Sequence, residues 1–442
     1  MDRKLLPPSA RRPRFTRGAA LADPAHIARP VSVEDIQSEV LRCAEDGERL
    51  RVAGGGTAVN ALWRTDENLL TLDHFVGIES ADLERGRVWV RAGTRLGALA
   101  ESLASNQLAL PMDGWPEGAT IGGAVSVGAH GSGPQLCNLS AHITAVGLIT
   151  ADGVLRRVTA ETDADVFGAA RLSLGALGVV SHVELECDLA KPMRVRRFKS
   201  ALEDTLARLP ELRAHSTQLS FEWFPGTGVT RIRTAMATDA PPRSEPSTAT
   251  GREWLMRNAG HWMLAHASDR APRFAHRAQR LALQLLPESE RIEAAPAPAS
   301  QPLLRQSELL EYQLAVEDLG PALTQLEHLL KALNLRGYLA LEVGFIAADD
   351  VWLSPAFGRD SAFVRLKRFR GIEQAPIAST FADVMERYDA RPHWGSAHGK
   401  GASALAPLYP RWADFLALRS RLDPHGVFLN DYLSGLLGAR QP

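Results

Sequence analysis

A chain of 442 residues exceeds what one hydrophobic core usually organises, so two domains sharing an interface are expected. Lys plus Arg (50) almost cancel Asp plus Glu (51), which leaves no global positive field pointing to nucleic acid or an anionic membrane surface. Three cysteines, Cys43, Cys137 and Cys187, stand far apart without a CxxC or CxxH pairing; they argue against a disulfide framework and a structural metal, and fit a reducing cytoplasm.

Residues 1–27 read as a loosely held basic arm. Arg11 and Arg12 are followed by proline and further arginine where a signal peptide needs its apolar run, and no later stretch is apolar enough to span a bilayer. A first domain is expected over 28–188. Ser32 caps a predicted helix through Ala44; the strand Arg49 to Ala53 follows and runs into Gly54, Gly55 and Gly56. Strands at Leu69 to Leu72 and Arg87 to Ala92 precede a helix over Arg95 to Ala104. A run too rich in glycine for strand or helix, Thr120 to Gly133, comes next. Ile143 to Thr150 and Val154 to Thr159 form a predicted hairpin about Asp152-Gly153, and a helix (Ala164 to Leu172) and a strand (Val179 to Cys187) close the domain.

The second domain, 189–442, opens with a strand, a helix and a strand at Met193 to Phe198, Leu202 to Leu212 and Leu219 to Phe224. A helical stretch from Arg252 to Leu286 and a linker at Ala294 to Pro302 follow. Then come the strand Glu308 to Val316, the helix Gly320 to Ala332, strands at Leu339 to Ile346 and Ser361 to Arg368, and a last helix, Pro410 to Leu422. The mixed order predicts an α+β fold.

Gly54-Gly55-Gly56 after a strand suits close backbone approach to a pyrophosphate, but a Rossmann site needs a further glycine where Val59 stands. No GxxxxGK[ST] run exists. Alone, the segment serves equally as a structural turn. Arg51 to Gly56, Thr120 to Gly133 and Leu174 to Val180 together resemble three FAD-contacting segments of the vanillyl-alcohol-oxidase-type flavoproteins, whose FAD-binding domain is of the PCMH type. Leu353-Ser354-Pro355, Arg391-Pro392-His393-Trp394-Gly395 and Leu422-Asp423-Pro424-His425-Gly426 through Asn430 resemble the aldonolactone oxidase branch, which includes gulonolactone, arabinonolactone and alditol oxidases.

That resemblance implies an FAD-binding domain of two small α/β subdomains, with an α+β cap domain whose sheet covers the flavin and whose last segment, about 391–442, returns to it. It implies that Val52, Ala53, Gly54, Gly55, Gly56, Thr57 and Ala58 wrap the pyrophosphate. Thr120, Gly122, Gly123, Val125, Gly128, His130, Gly131, Ser132, Gly133, Val180 and His393 are the other cofactor residues, with Thr120 also turned to the substrate. His130 is expected to brace the loop by hydrogen bonding, not to hold a metal. Glu342 matches the family's active-site glutamate; without the resemblance it would read as a solvent-facing strand residue.

Alcohol oxidation by a flavin needs a carbinol hydride delivered to N5 while a base takes the hydroxyl proton. Three positions depart from the family. Thr57 stands where a histidine often links FAD covalently, so non-covalent FAD is expected. Gly344 replaces an arginine two residues after the glutamate, and Ser396 replaces a lysine after His-Trp-Gly. Arg365, His398 and Lys400 are the candidates to compensate, and complete the catalytic set with Glu342, His393, Thr120 and Ser396. The expected activity is oxidation of a CH–OH group in an aldonolactone or alditol, with oxygen or another carrier as acceptor. A diverged oxidase of a non-sugar substrate and a flavin-binding protein without turnover are the alternatives.

Overall fold

The computed structural model describes residues 24–115, 118–242, 280, 283, 287–294, 307–333, 340–369 and 375–438. The expected arm up to residue 23, nearly all of the helix expected at Arg252 to Leu286 and most of the linker lie outside them.

The N-terminal half is built on two small sheets. Strand β1 (His26–Ala28), helix α1 (Val33–Asp46), β2 (Leu50–Ala53) and β3 (Asn68–Thr71) form a parallel unit in the order β1-β3-β2. Helix α1 starts where Ser32 and Asp35 close a capping box and ends at left-handed Gly47; Ile36, Val40 and Cys43 form its buried stripe. Next come β4 (Ile78–Asp82), β5 (Arg87–Arg91), α2 (Leu96–Ala104), β6 (Leu108–Ala109), α3 (Ile121–Ser126), β7 (Ile143–Ile149), β8 (Leu155–Val158), α4 (Ala164–Ala170) and β9 (Val179–Glu186). Five of these strands make an antiparallel sheet, β4-β5-β9-β7-β8. The short β10 (Asp188–Leu189) pairs with β6.

The C-terminal half has one large sheet. Its elements are β11 (Met193–Ala201), α5 (Leu202–Ala207), α6 (Leu209–Ala214), β12 (Gln218–Phe224), β13 (Val229–Ala237), β14 (Ser289–Glu293), β15 (Ser307–Ala315), α7 (Leu319–Ala332), β16 (Leu341–Ile346), β17 (Ser361–Phe369), α8 (Ala375–Glu386) and β18 (Arg391–Pro392). All eight strands pair antiparallel, in the order β14-β11-β13-β12-β16-β17-β15-β18. One face is apolar: Phe221, Trp223, Val343, Val364 and Tyr312 pack under α7 and α8. The period of two therefore sends Glu342 and Arg365 to the other face. After β18, α9 (Ala402–Leu405), α10 (Trp412–Leu422) and α11 (Asp431–Leu437) return to the first core, where Trp412, Phe415, Phe428 and Leu433 are buried.

The architecture is α+β, as the order of elements predicts. Two expectations need correction. The glycine-rich run does contain a helix, α3, because Thr120 caps it by accepting from the Gly123 amide and small residues let it pack closely. The single helix expected over Leu202 to Leu212 is broken at Arg208, since Pro210 falls in the first turn of a second helix. Strand β13, with polar residues alternating through Arg231 and Arg233, was not apparent from apolar periodicity.

Candidate active site

Strand β2 delivers the first glycine run against the start of α3. A Cβ on Gly54 would collide with Thr120 Oγ1, one on Gly55 with the Gly118 carbonyl, and one on Gly122 would lie 2.7 Å from Ala92 Cβ. Glycine is required because the neighbouring segments pack closer there than a Cβ allows. The cleft these segments form is lined by Val52, Ala53, Gly54, Gly55, Gly56, Thr57, Ala58, Thr120, Gly122 and Gly123. Gly175, Gly178 and Val180 complete the wall, and His393, Gly395 and Ser396 close it from the C-terminal half.

Such a cleft, made largely of main chain and small apolar side chains, fits a long cofactor with a flat ring and a pyrophosphate, and the residues present therefore fit FAD. Arg51 does not serve as a phosphate ligand in this arrangement. Its buried guanidinium donates to the carbonyls of Leu174, Gly175 and Phe428 at 2.6–3.2 Å.

Gly128, His130, Gly131, Ser132 and Gly133 are not part of the cleft wall. They carry the chain from it onto the cap sheet, while Val125 is a buried residue of α3. The Gly133 amide donates to Phe345 O at 2.8 Å and the Leu219 amide to Ser132 O at 3.1 Å, so the loop is stitched to both β12 and β16. Ser132 Oγ accepts from the Phe345 amide at 3.2 Å and donates to Leu219 O.

The polar face of the sheet carries one continuous row of charge. Register places Arg231 beside Glu222, Glu222 beside Glu342, Glu342 beside Arg365 and Arg365 beside Glu311. Arg365 lies 3.4 Å from Glu342 and 2.7 Å from Glu311. Burial opposes its charge, yet the Glu311 and Glu342 carboxylates hold its pKa above the ordinary arginine value. Glu311 in turn meets His130 Nε2 at 2.6 Å, while His130 Nδ1 meets Gly131 O at 2.8 Å.

Burial alone would raise the Glu311 pKa, but Arg365 and His130 hold it well below the usual carboxylate range. The His130 and His393 rings are 5.5 Å apart, and the His393 amide donates to Glu311 O at 3.0 Å. Burial draws the His393 pKa down to about 4, against the pull of Glu311, so its ring is neutral at pH 7. Its Nδ1 accepts from the Gly395 amide at 3.1 Å.

His130, Glu311 and His393 offer ligand atoms within 4.8 Å of one another, a spacing compatible with a metal ion. The Glu311 oxygens are already matched by His130 and Arg365 in a hydrogen-bonded network.

A second carboxyl enters from the N-terminal half. Asp113 accepts from the Ser132 amide and lies 3.3 Å from Arg233. Burial raises its pKa to about 6 against Arg233 and Ser132, with the charge of Glu342 adding to the rise.

The sequence candidates thus divide. Glu342, Arg365, His130 and His393 fall in one network, and Thr120 and Ser396 line the adjoining cleft. Two compensating candidates stand apart from this network: Lys400 is held by Glu386 at 2.6 Å, and His398 packs edge-on against Trp394, its pKa drawn down to about 4 by burial and by the charge of Lys400. Glu311, Asp113 and Arg233 were not among the candidates. Glu311 and Arg233 sit in alternating strands, and Asp113 precedes Gly114 as an ordinary turn residue would, so only their partners across the fold mark them.

The fold is that of cholesterol oxidase. Cholesterol oxidase from Brevibacterium sterolicum superposes with a TM-score of 0.74 at 14% identity, over 93% of this chain and 94% of that one. Residues 24–159 match the FAD binding domain family, and residues 183–436 match the D-arabinono-1,4-lactone oxidase family. The chain is 32% identical to the L-gulono-1,4-lactone dehydrogenase of Mycobacterium tuberculosis, covering 95% of this chain and 98% of that protein. It is 28% identical to the alditol oxidase of a Streptomyces species, covering 93% and 95%. The protein belongs to the D-arabinono-1,4-lactone oxidase family of FAD-linked oxidoreductases.

Proposed function

We propose that the protein oxidises a CH–OH group of a sugar lactone or alditol placed between FAD in the glycine cleft and the charged row of the cap sheet. The observation that carries this reading is the Glu342–Arg365 pair on the sheet face that adjoins the cleft. Leu309, two residues before Glu311 on the same face of β15, lines the cleft itself.

Bound FAD supplies the acceptor for the two electrons of the carbinol C–H bond. Glu342 takes the hydroxyl proton, and Arg365 steadies the negative charge on the substrate oxygen. Thr120 and His393 border the same space, with His393 neutral. Val52 to Ala58, Thr120, Gly122, Gly123 and Val180 hold the cofactor. Thr57 offers a hydroxyl in place of an imidazole, which supports non-covalent FAD. The three free thiols support a cytoplasmic location.

Purified protein is expected to be yellow and to release its flavin on acid precipitation. Anaerobic L-gulono-1,4-lactone or xylitol should bleach it, and Glu342→Gln should slow bleaching by about 100-fold or more. Bleaching by neither compound would refute the substrate class. Wild-type bleaching that Glu342→Gln left unchanged would refute the role of the glutamate. Reoxidation in air against reoxidation by a quinone or dye separates oxygen from another acceptor.

A further inference from the structure

The wall of the glycine cleft carries almost no charge. Arg51 alone among the described residues that line it is a lysine or arginine, and none of them is an aspartate or glutamate. A pyrophosphate is an anion, and moving it out of water into such a wall calls for a fixed opposite charge within reach. Arg51 is 2% exposed and sits on β2, the strand that runs into Gly54. Its guanidinium donates to the carbonyls of Leu174, Gly175 and Phe428, and so ties the strand before the glycine turn to the Leu174 turn and to the C-terminal tail. Carbonyls satisfy N–H groups without cancelling a whole charge. Arg51 forms no ion pair with a carboxylate among the described residues, and its buried Nε–H meets no acceptor. Burial draws its pKa down to about 10 with no acid to raise it, so it stays charged at pH 7. Arg365, the buried cation of the cap sheet, is by contrast matched by Glu311 and Glu342. A buried charge left without its counterpart is costly.

We infer that Arg51 is the counter-charge of the FAD pyrophosphate, a buried cation kept without an acid because the cofactor brings the negative charge. It acts through space while its three carbonyl bonds stay in place, and is therefore a positioning residue and not a phosphate ligand. One guanidinium thus balances the cofactor and clasps the tail onto the turn that receives it. This rests on FAD in the cleft and is independent of the substrate class.

The test compares Arg51→Lys with Arg51→Gln. Both lose the three-way fork, and only lysine keeps the charge. FAD is dialysed out of wild-type protein and both variants against concentrated potassium bromide. Rebinding of FAD and of riboflavin, which has no phosphate, is then followed by quenching of tryptophan fluorescence. The preference for FAD over riboflavin should shrink by about 30-fold in Arg51→Gln and by less than about threefold in Arg51→Lys. Equal preference in the two variants overturns the inference, because a clasp with no electrostatic part does not tell lysine from glutamine.

Wild-type protein supplies a second arm, which decides where neither variant is recovered folded. Its preference for FAD should change by less than about threefold between about 0.05 and 0.5 M sodium chloride, since a buried charge is poorly screened. A steeper fall would place the counter-charge on exposed cations outside the cleft and overturn the inference. Flavin that cannot be dialysed out refutes the non-covalent linkage by itself. Melting of the flavin-loaded proteins then decides for Arg51: Arg51→Gln melting at least about 3 °C below Arg51→Lys supports the counter-charge, and equal melting temperatures overturn it.

Discussion

Glu311 is buried to 1% and touches two cationic or hydrogen-bonding partners contributed by different parts of the chain, so its cost is recovered only while both remain. Glu311→Gln keeps the shape and removes the charge, leaving Arg365 with Glu342 alone. The expected loss is about 3–5 kcal/mol of stability, read as a lower urea midpoint of the FAD-loaded protein. Burial makes His398 a residue that resists protonation: its folded pKa is about 4 against 6.5 ordinarily. Above pH 6.5 this costs nothing. Between 6.5 and 4 the unfolded chain takes up a proton that the folded one refuses, so stability falls with pH. His398→Phe should therefore lose less stability than wild type between pH 7 and pH 4.5, by about 1–3 kcal/mol in urea titrations. A full-sized acid limb in the variant would assign the loss to His393 and other groups. Glu342 and His393 were singled out only by the family resemblance, whereas Glu311 lies 181 positions from His130 and 54 from Arg365, and no local pattern announces such partners.

At the scale of elements, the glycine-rich run does two jobs that its composition does not separate. Its first part is a short helix against the cleft, and its second part is a strap bonded between β12 and β16. Read from composition, both were one loop; cap geometry at Thr120 and cross-domain amide partners decide otherwise. The strap explains why Gly344 stands where the family resemblance suggests arginine. Gly344→Ala should push Ser132 off Phe345 and cost about 1–3 kcal/mol, with FAD lost at lower temperature in a flavin-fluorescence melt. Gly344→Arg, which restores the family residue, is expected to recover no activity and to weaken FAD retention more than the alanine does. Improved turnover in Gly344→Arg would show that the strap is not what the glycine serves.

At the scale of the molecule, chain order and spatial order part company: the segment from Trp394 to Leu437 finishes the first core. Leu50 N donates to Val427 O at 2.7 Å, Arg51 reaches Phe428 O at 2.6 Å, and Asn60 Nδ2 donates to Trp394 O and Ser396 O at 2.6 and 3.0 Å. The return of the tail was expected from the resemblance of Asp423 to Asn430; that its polar side chains hold the glycine segment in place was not, because donors and acceptors lie more than 300 residues apart. Asn430 is the clearest case. Its amide serves Ala61 O at 2.9 Å and Arg64 O at 2.7 Å, and its Oδ1 caps α11 by accepting from the Leu433 amide at 2.8 Å. Asn430→Ala strands these carbonyls and uncaps the helix together, for about 2–4 kcal/mol. Because the freed segment leads directly from the cofactor turn, FAD affinity should fall with it. Hydrogen exchange should quicken at Leu62, Trp63 and Leu433 while β7 and β9 keep their protection. Equal loss of protection in β7 and β9 would mean that the tail sustains the whole core and not the cofactor turn in particular.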